Sequence, residues 1–494
     1  MLDSTSATVS GDPTCAEPRY FSIIDNKFFV SSDILSVLRA RHRHGLEIEV
    51  SPVAISHLLH DGFVAQPFTV YKDVFFVSMG MSATFDDGRL EFSFDFPFLK
   101  PKSAQDQEPD PATLLQVLSD ATNRACAARP KPLLMLSAGL DSTSLALAVK
   151  QAGRDDTLCV TYTEDDDQDE ASLAHRLCVR LGLRHETCHL SLESDEVCRL
   201  LQSYAAVAPE PCADPALTAC VAPIARHADG DTVVLDGSGN DSYFWKPPRQ
   251  LDLAKLRLGW NRLPGLRRIR RALPMHFPYE RLLSSPLEQL LFTGPYLRHC
   301  DTRIFYPASI DTHGAWLERF NQLAIPFEEM RSSVRSAFMG PAAHMMKARN
   351  AALLVGASAR FPWTDHEVAN YCFNLPADHR FDRASSRNKV IIREMLSRFV
   401  DYDEKAIGKR SFRFDKRRFI ERNLDFCRNE VLNCTLWEPA IEVSLRRFIS
   451  AFIRGARTEN ALLTLLMVSL WHNHWVVGGL RTALGPARAD SVAA

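Results

Sequence analysis

Between Pro111 and Asp241 the chain alternates short apolar runs with segments whose apolar residues recur at helical spacing, and this alternation constrains the fold most. LLML (133–136) reads as a short buried strand, followed by a loop and the helix STSLALAVKQAG. TLCVTYT (157–163) is the next strand and DEASLAHRLCVRLGL the next helix. ETCHLSL is strand-like, and DTVVLDG (231–237) runs from strand into loop. Strands alternating with helices imply an α/β domain, a parallel sheet covered on both faces. Beyond about Trp245 the pattern is largely helical.

The preceding region differs. Residues 1–19 read as a disordered tail. From 20 to 100 the pattern is mainly β, in YFSIID, KFFV, FTVYKDVFFVSM and LEFSFDF, with a helical stretch near Pro52–His60. KPKSAQDQEPDPAT, polar and with three prolines, marks a linker over 101–110. The second domain then covers 111–494.

Composition mostly excludes. A net charge of -2 over 494 residues gives no reason to expect nucleic-acid or membrane binding. No run is apolar enough to span a bilayer, and the amino-terminal residues carry no secretory pattern, so a cytoplasmic protein is expected. The twelve cysteines are scattered without a C-x-x-C pair and read as buried hydrophobes.

The most informative chemistry lies in LLMLSAGLDS (133–142). A strand ends, a loop of small residues turns, and a helix begins, which points unpaired N–H groups and the positive end of the helix at an anion. Ser137, Gly139 and Ser142 are small enough for a polyphosphate to approach. No Gly-Lys-[Ser/Thr] follows, so this is not a Walker A loop. Asp141 would be repelled by phosphate unless a cation lay between them, which implies Mg²⁺. The plain alternative is a strand-to-helix turn with Ser or Asp caps. DGSGND (236–241) argues against it: this second small-residue loop also follows an apolar strand, and Asp241 could approach the same cation. Ligand sites of parallel sheets gather at the carboxyl ends of strands.

LSAGLDSTSLA resembles the pyrophosphatase loop of asparagine synthetase-type enzymes, whose pattern is Ser-x-Gly-x-Asp-Ser. DQDEASLAHRLCVRLGLRH, VVLDGSGND, RFPWTDHEVANYCFNLP, RNKVIIREML and IGKRSF resemble later segments of that family, in order, over roughly Pro111 to Trp475. The resemblance implies an adenine-nucleotide α-hydrolase-like (PP-loop) parallel-sheet domain with a helical carboxyl-terminal part, using ATP and Mg²⁺. It implies that Asp141 and Asp241 hold Mg²⁺ and that Ser137, Gly139 and Ser142 cradle pyrophosphate. Leu136, Thr161, Asp236 and Gly237 would line AMP, partly through backbone atoms. Lys389 would contact phosphate or be a surface lysine. Lys409 would sit over the reacting centre, where a fixed cation stabilises developing negative charge; the plain alternative is a solvated basic face. Glu288 lies roughly where β-lactam synthetases carry a catalytic glutamate, although an exposed helical glutamate is the commoner case.

The departures fall near the acceptor. Ala138 replaces a usual glycine, Ser242 follows Asp241 where the family has Glu, Ser238 replaces Glu or Tyr, and Ser358 stands where a Glu often precedes Arg-x-Pro. VSPVAISHLLHDGFVAQPFTVYKDVFFVSMG resembles the later part of the family's glutaminase domain, so 20–100 reads as a small degenerate glutaminase-like (Ntn-type) domain. Position 2 is Leu, not the catalytic Cys of glutamine-dependent relatives, and Cys15 would serve only after cleavage just before it. The amine is then expected from the substrate or from free ammonia. The Gly-Ser-Gly-Asn-Asp loop and the short amino-terminal domain resemble those of lasso-peptide macrolactam cyclases, which implies a precursor peptide as substrate and a leader-peptide protease as a possible partner. A β-lactam synthetase-like or ammonia-dependent ligase is the alternative, and an inactive scaffold a second one. The basic segment 245–271 reads as an amphipathic surface helix or as a docking face for peptide or protease.

Overall fold

The computed structural model describes residues 7–94, 108–164, 168–244, 254, 255, 258 and 340–485, apart from 65, 193, 194, 215, 383, 386, 403–413, 438 and 457. The amino-terminal part holds two small antiparallel sheets. In one, β1 (Ala7–Ser10) and β6 (Arg89–Phe94) flank β5 (Met81–Asp86). In the other, β3 (Lys27–Ser31) and β4 (Phe75–Phe76) flank β2 (Tyr20–Ile24). Both hairpin turns use residues that tolerate positive φ: Asp25 and Asn26 at 50° and 57°, Asp87 and Gly88 at 45° and 75°. Two helices complete it: α1 (Ile34–Arg43), capped by the Asp33 carboxylate, and α2 (Pro52–Asp61), which has Ser51 as cap and Gly62 in the left-handed conformation at its end.

Two sequence expectations fail here. Residues 7–10 are not tail: they pair with β5, aided by cross-strand hydroxyl contacts between Thr8 and Thr84 (3.2 Å) and Ser10 and Ser82 (2.8 Å). The long strand expected over FTVYKDVFFVSM is only β4. Asp73 turns the chain at φ 57°, and Val70, Tyr71 and Val74 enter the core from a loop.

The second part begins with α3 (Pro111–Cys126), which has Asp110 as cap and proline in its first turn. A five-stranded parallel sheet follows, in the order β11-β10-β7-β8-β9. Its members are β7 (Lys131–Met135), β8 (Leu158–Thr163), β9 (Arg184–His189), β10 (Thr232–Leu235) and β11 (Ser358–Arg360). The connecting helices are α4 (Leu140–Gln151), α5 (Gln168–Leu181), α6 (Asp195–Val207) and α7 (Leu217–His227). Later helices include α8 (Met346–Leu353), α9 (His366–Asn374) and α10 (Val390–Val400).

Period-two alternation sorts the strand residues into two cores. Leu133, Met135, Val160, Tyr162 and Val234 face one side, where α6, α7, α8 and the helix Glu459–Trp471, buried from Ala461 onward, pack. Leu134, Leu136, Cys159, Val233 and Leu235 face the other, covered by α3, α4, α5, α9 and α10. The amino-terminal helices join the first core through Val37, Leu38, Ile55 and Leu58. Polar contacts tie the same parts: the Tyr71 hydroxyl donates to the Pro209 carbonyl (2.6 Å) and accepts from Trp475 Nε1 (2.7 Å). Among the described residues no helix is long and apolar enough to cross a membrane.

Candidate active site

Two loops meet at the carboxyl ends of β7 and β10. The first runs from Leu136 into α4. Leu136 is buried and donates its N–H to the Val160 carbonyl (2.9 Å), which carries the sheet to the loop's edge. The Ser137 and Ser142 hydroxyls lie 2.9 Å apart, and Ser142 Oγ also takes the Ser137 N–H (3.0 Å). These hydroxyls therefore fix the loop's shape. Ala138 is held at both ends, its N–H by the buried Glu170 carboxylate (3.2 Å) and its carbonyl by the Tyr402 hydroxyl (2.7 Å). Gly139 starts α4 with no side-chain cap, so the first turn presents backbone N–H groups toward the loop.

The second loop fits against the first only through glycine. A Cβ at Gly237 would stand 3.2 Å from the Ser142 nitrogen and 3.4 Å from Asp141 Cβ. Gly239 has φ +113°, and a Cβ there would come 2.5 Å from Thr364 Cγ2. Asp236 folds its carboxylate back onto the Ser238 N–H (2.8 Å) and receives β11 through its own N–H to the Arg360 carbonyl (3.1 Å).

The loops converge on Lys389. Its Nζ lies 2.7 Å from each Asp141 carboxylate oxygen, 3.0 Å from Asp241 Oδ1 and 3.1 Å from Asn240 Oδ1. The Asn240 amide also donates to Asp141 Oδ1 (2.6 Å). Lys389 sits in the left-handed region, φ 62°, immediately before α10, and its N–H is held by the Arg380 carbonyl (2.8 Å). Burial works against its charge, but Asp141 and then Asp241 outweigh it and hold the ammonium's pKa well above the ordinary lysine value.

The RFPWTDHE segment supports both loops. Trp363 is fully buried; its indole N–H points at the Asp141 carbonyl (3.4 Å), and its carbonyl accepts from the Tyr243 hydroxyl (2.8 Å). Asp365 caps α9 and takes both arms of Arg124 from α3 (2.8 and 3.2 Å). Pro362 opens the short turn Pro362–Thr364 that carries Trp363, and the motif's acid serves as a cap.

Of the sequence-derived candidates, Leu136, Ser137, Gly139, Asp141, Ser142, Asp236, Gly237, Asp241 and Lys389 cluster here. Thr161 lies deeper: its side chain is fully buried and meets His185 Nε2 at 2.9 Å, so only its backbone remains for a nucleotide. Burial, with His175 nearby, lowers the His185 pKa to about 4. Lys409, Glu288 and the basic segment, apart from 254, 255 and 258, lie outside the described residues. Sequence reasoning missed Asn240, Glu170, Tyr402 and Lys347. Lys347 pairs with Asp214 (2.7 Å) behind the second loop; burial opposes its charge, and Asp214 and Asp236 hold its pKa up. Asn240 lay inside a motif already singled out, whereas nothing in the sequence distinguishes Lys347 or Tyr402 from ordinary residues.

Among the described residues no three His, Cys, Asp or Glu side chains cluster as a metal site. Asp141 and Asp241 nevertheless aim two carboxylates at one cationic atom, a donor set that suits a hard divalent ion completed by phosphate oxygens. The eleven cysteines among the described residues are all buried. Cys15 is enclosed, its sulfur accepting the Met79 N–H (3.0 Å), and burial pushes its thiol up to about 11.

A family model described as asparagine synthase matches residues 113–472, which takes in both loops, α8, β11 and Lys389. No curated protein matches the chain.

Proposed function

The chain belongs to the asparagine synthase family, and we propose that it spends ATP to adenylate a carboxylate and then joins that carboxylate to an amine. The family's members are ATP-dependent ligases that form amide bonds. The observation that carries the AMP-forming reading is the convergence of Asp141 and Asp241, from the ends of neighbouring strands, on a single cation.

In the proposed reaction a carboxylate oxygen bonds to the α-phosphorus of ATP and pyrophosphate leaves. The amine nitrogen then bonds to the acyl carbon, AMP leaves with the carboxylate oxygen, and the amine gives up a proton. Mg²⁺ held by Asp141 and Asp241 would neutralise the departing pyrophosphate. The first turn of α4 faces the phosphates with backbone N–H groups, and the paired Ser137 and Ser142 hydroxyls keep that turn in place. Leu136, Asp236 and Gly237 line AMP, and Lys389 binds phosphate. Lys409 is assigned to the reacting centre, where its charge would stabilise the tetrahedral species.

We assign the carboxylate to an Asp or Glu side chain of a precursor peptide and the amine to that peptide's own terminus, which makes the product a macrolactam. Two features support an amine carried by the substrate. Cys15 offers no accessible thiolate for glutamine hydrolysis. Three of the departing acceptor-side positions, 238, 242 and 358, are serines, and the Ser358 hydroxyl is buried without a hydrogen-bond partner among the described residues. The retained Asp141, Asp241 and Lys389 triad argues against an inactive scaffold.

Synthetic peptides with a free amino terminus and one Asp or Glu moved stepwise along the chain provide the test. Incubated with ATP and Mg²⁺, at least one should yield a peptide one water lighter, with AMP and pyrophosphate in equal amounts. Formation of ADP and phosphate, or glutamine-dependent amidation of free aspartate, would replace this reading.

A further inference from the structure

The Lys389 ammonium occupies the position that the preceding reading gives to a divalent cation. An ammonium has three protons to donate, and Asp141, Asp241 and Asn240 accept them all within 3.1 Å. The Lys389 side chain is only 8 % exposed, so water does not share this role. Two carboxylates brought this close repel one another unless a positive charge lies between them. The lysine backbone is fixed by the Arg380 carbonyl and the start of α10, whereas its charge is carried on a four-carbon stem with several rotatable bonds.

We propose that Lys389 is the resident counter-cation of this site. It holds the aspartates together in the free protein, excludes a divalent ion while nucleotide is absent, and yields the carboxylates when a polyphosphate arrives to take its ammonium. Ion and ammonium compete for the same oxygens. An Mg²⁺–oxygen distance of about 2.0–2.1 Å would put the two cations within a few ångströms of each other. Two protein carboxylates are also few ligands for a tightly held ion, and among the described residues no third His, Cys, Asp or Glu side chain joins them. Phosphate oxygens remove both obstacles: they complete the ion's coordination and give Lys389 a new anionic partner. The site thus discriminates against metal alone and accepts metal together with nucleotide.

This inference rests on Asp141 and Asp241 being the metal-binding pair, and the experiment separates the two claims. Mn²⁺ is titrated into purified wild type and Lys389→Met without nucleotide, with free Mn²⁺ followed by its electron paramagnetic resonance signal. Melting temperatures are measured alongside. Lys389→Met should bind Mn²⁺ at least tenfold more tightly than wild type and be stabilised by it, whereas Lys389→Arg should behave as wild type. Wild type binding Mn²⁺ alone as tightly as Lys389→Met overturns the proposal, as does a failure of both to bind. Should Lys389→Met not fold, Lys389→Gln takes its place; micromolar binding of Mn²⁺ by wild type without nucleotide, lost in Asp141→Asn, would be decisive against the proposal on its own. Retention of Mn²⁺ by wild type in the presence of ATP tests the pair itself. If that retention is absent, or unaffected by Asp241→Asn, the metal assignment fails.

Discussion

At the scale of single residues, Asp141 and Asp241 differ in what they give Lys389. Asp141 binds it at 2.7 Å through both oxygens, Asp241 Oδ1 lies farther at 3.0 Å, and the Asp241 side chain is the more exposed (45 % against 34 %). Both Asp→Asn variants should lose ligase activity. In metal-free buffer Asp141→Asn should also lose about 1–3 kcal/mol of stability, because the buried ammonium keeps only one carboxylate. Asp241→Asn should lose less. Urea unfolding in the presence of EDTA measures this; an equal or reversed order would show that Lys389 does not depend chiefly on Asp141. That both aspartates could approach one cation was legible in the sequence because each sits in a small-residue loop after an apolar strand. Their partner was harder to read. Lys389 is separated from Asp141 by most of the domain, and only the fold reveals that α10 delivers it between the loops. Lys347 could not be found in this way, since a lysine on a helix is ordinarily exposed.

At the scale of elements, the second loop depends on Gly239. An alanine there would be strained at φ +113° and would meet Thr364 Cγ2 at 2.5 Å. Gly239→Ala should cost about 1–3 kcal/mol and should lower activity more than tenfold by moving Asn240 and Asp241. Adding Thr364→Ser removes the methyl group but not the backbone strain, so melting temperature and rate should recover only in part. Full recovery, or no loss in Gly239→Ala, would mean that the loop tolerates this change. Strands β7, β8 and β10 and helices α4 and α5 were readable because burial on both sides, or on one stripe, forces an apolar pattern. Strand β11 was not: Ser358-Ala-Arg360 has no such pattern and becomes a strand only because β10 offers an open edge. The same applies to β1, which β5 recruits from a segment that reads as tail. In FTVYKDVFFVSM the apolar residues signalled burial correctly but not conformation, since a turn at Asp73 divides them.

At the scale of the whole molecule, the amino-terminal part and the sheet domain meet around Glu210, whose carboxylate accepts the Tyr20 hydroxyl at 2.8 Å. Burial raises its pKa from 4.5 to about 7, against the opposing effects of that hydrogen bond and Arg349. The folded protein therefore holds this proton more tightly than the unfolded chain. The resulting stability is complete below about 4.5 and is lost as the pH rises to about 7, a total of about 3 kcal/mol. Glu210→Gln mimics the neutral form, so its stability relative to wild type should rise across that window and level off above it. A difference that stays constant from pH 4.5 to 8 would refute the assignment. Sequence reading separated these two parts at a polar linker. It did not show that α1 and α2 share a core with α6 and α7, because an apolar helix face does not name what covers it. The central claim, that this assembly activates a carboxylate as its adenylate, is tested most directly by the fate of oxygen. A substrate peptide carrying ¹⁸O in its side-chain carboxyl group is turned over with unlabelled ATP, and the nucleotide and phosphate products are weighed by mass spectrometry. The account predicts AMP carrying one ¹⁸O and unlabelled pyrophosphate; label in inorganic phosphate, with ADP as the nucleotide product, would contradict it.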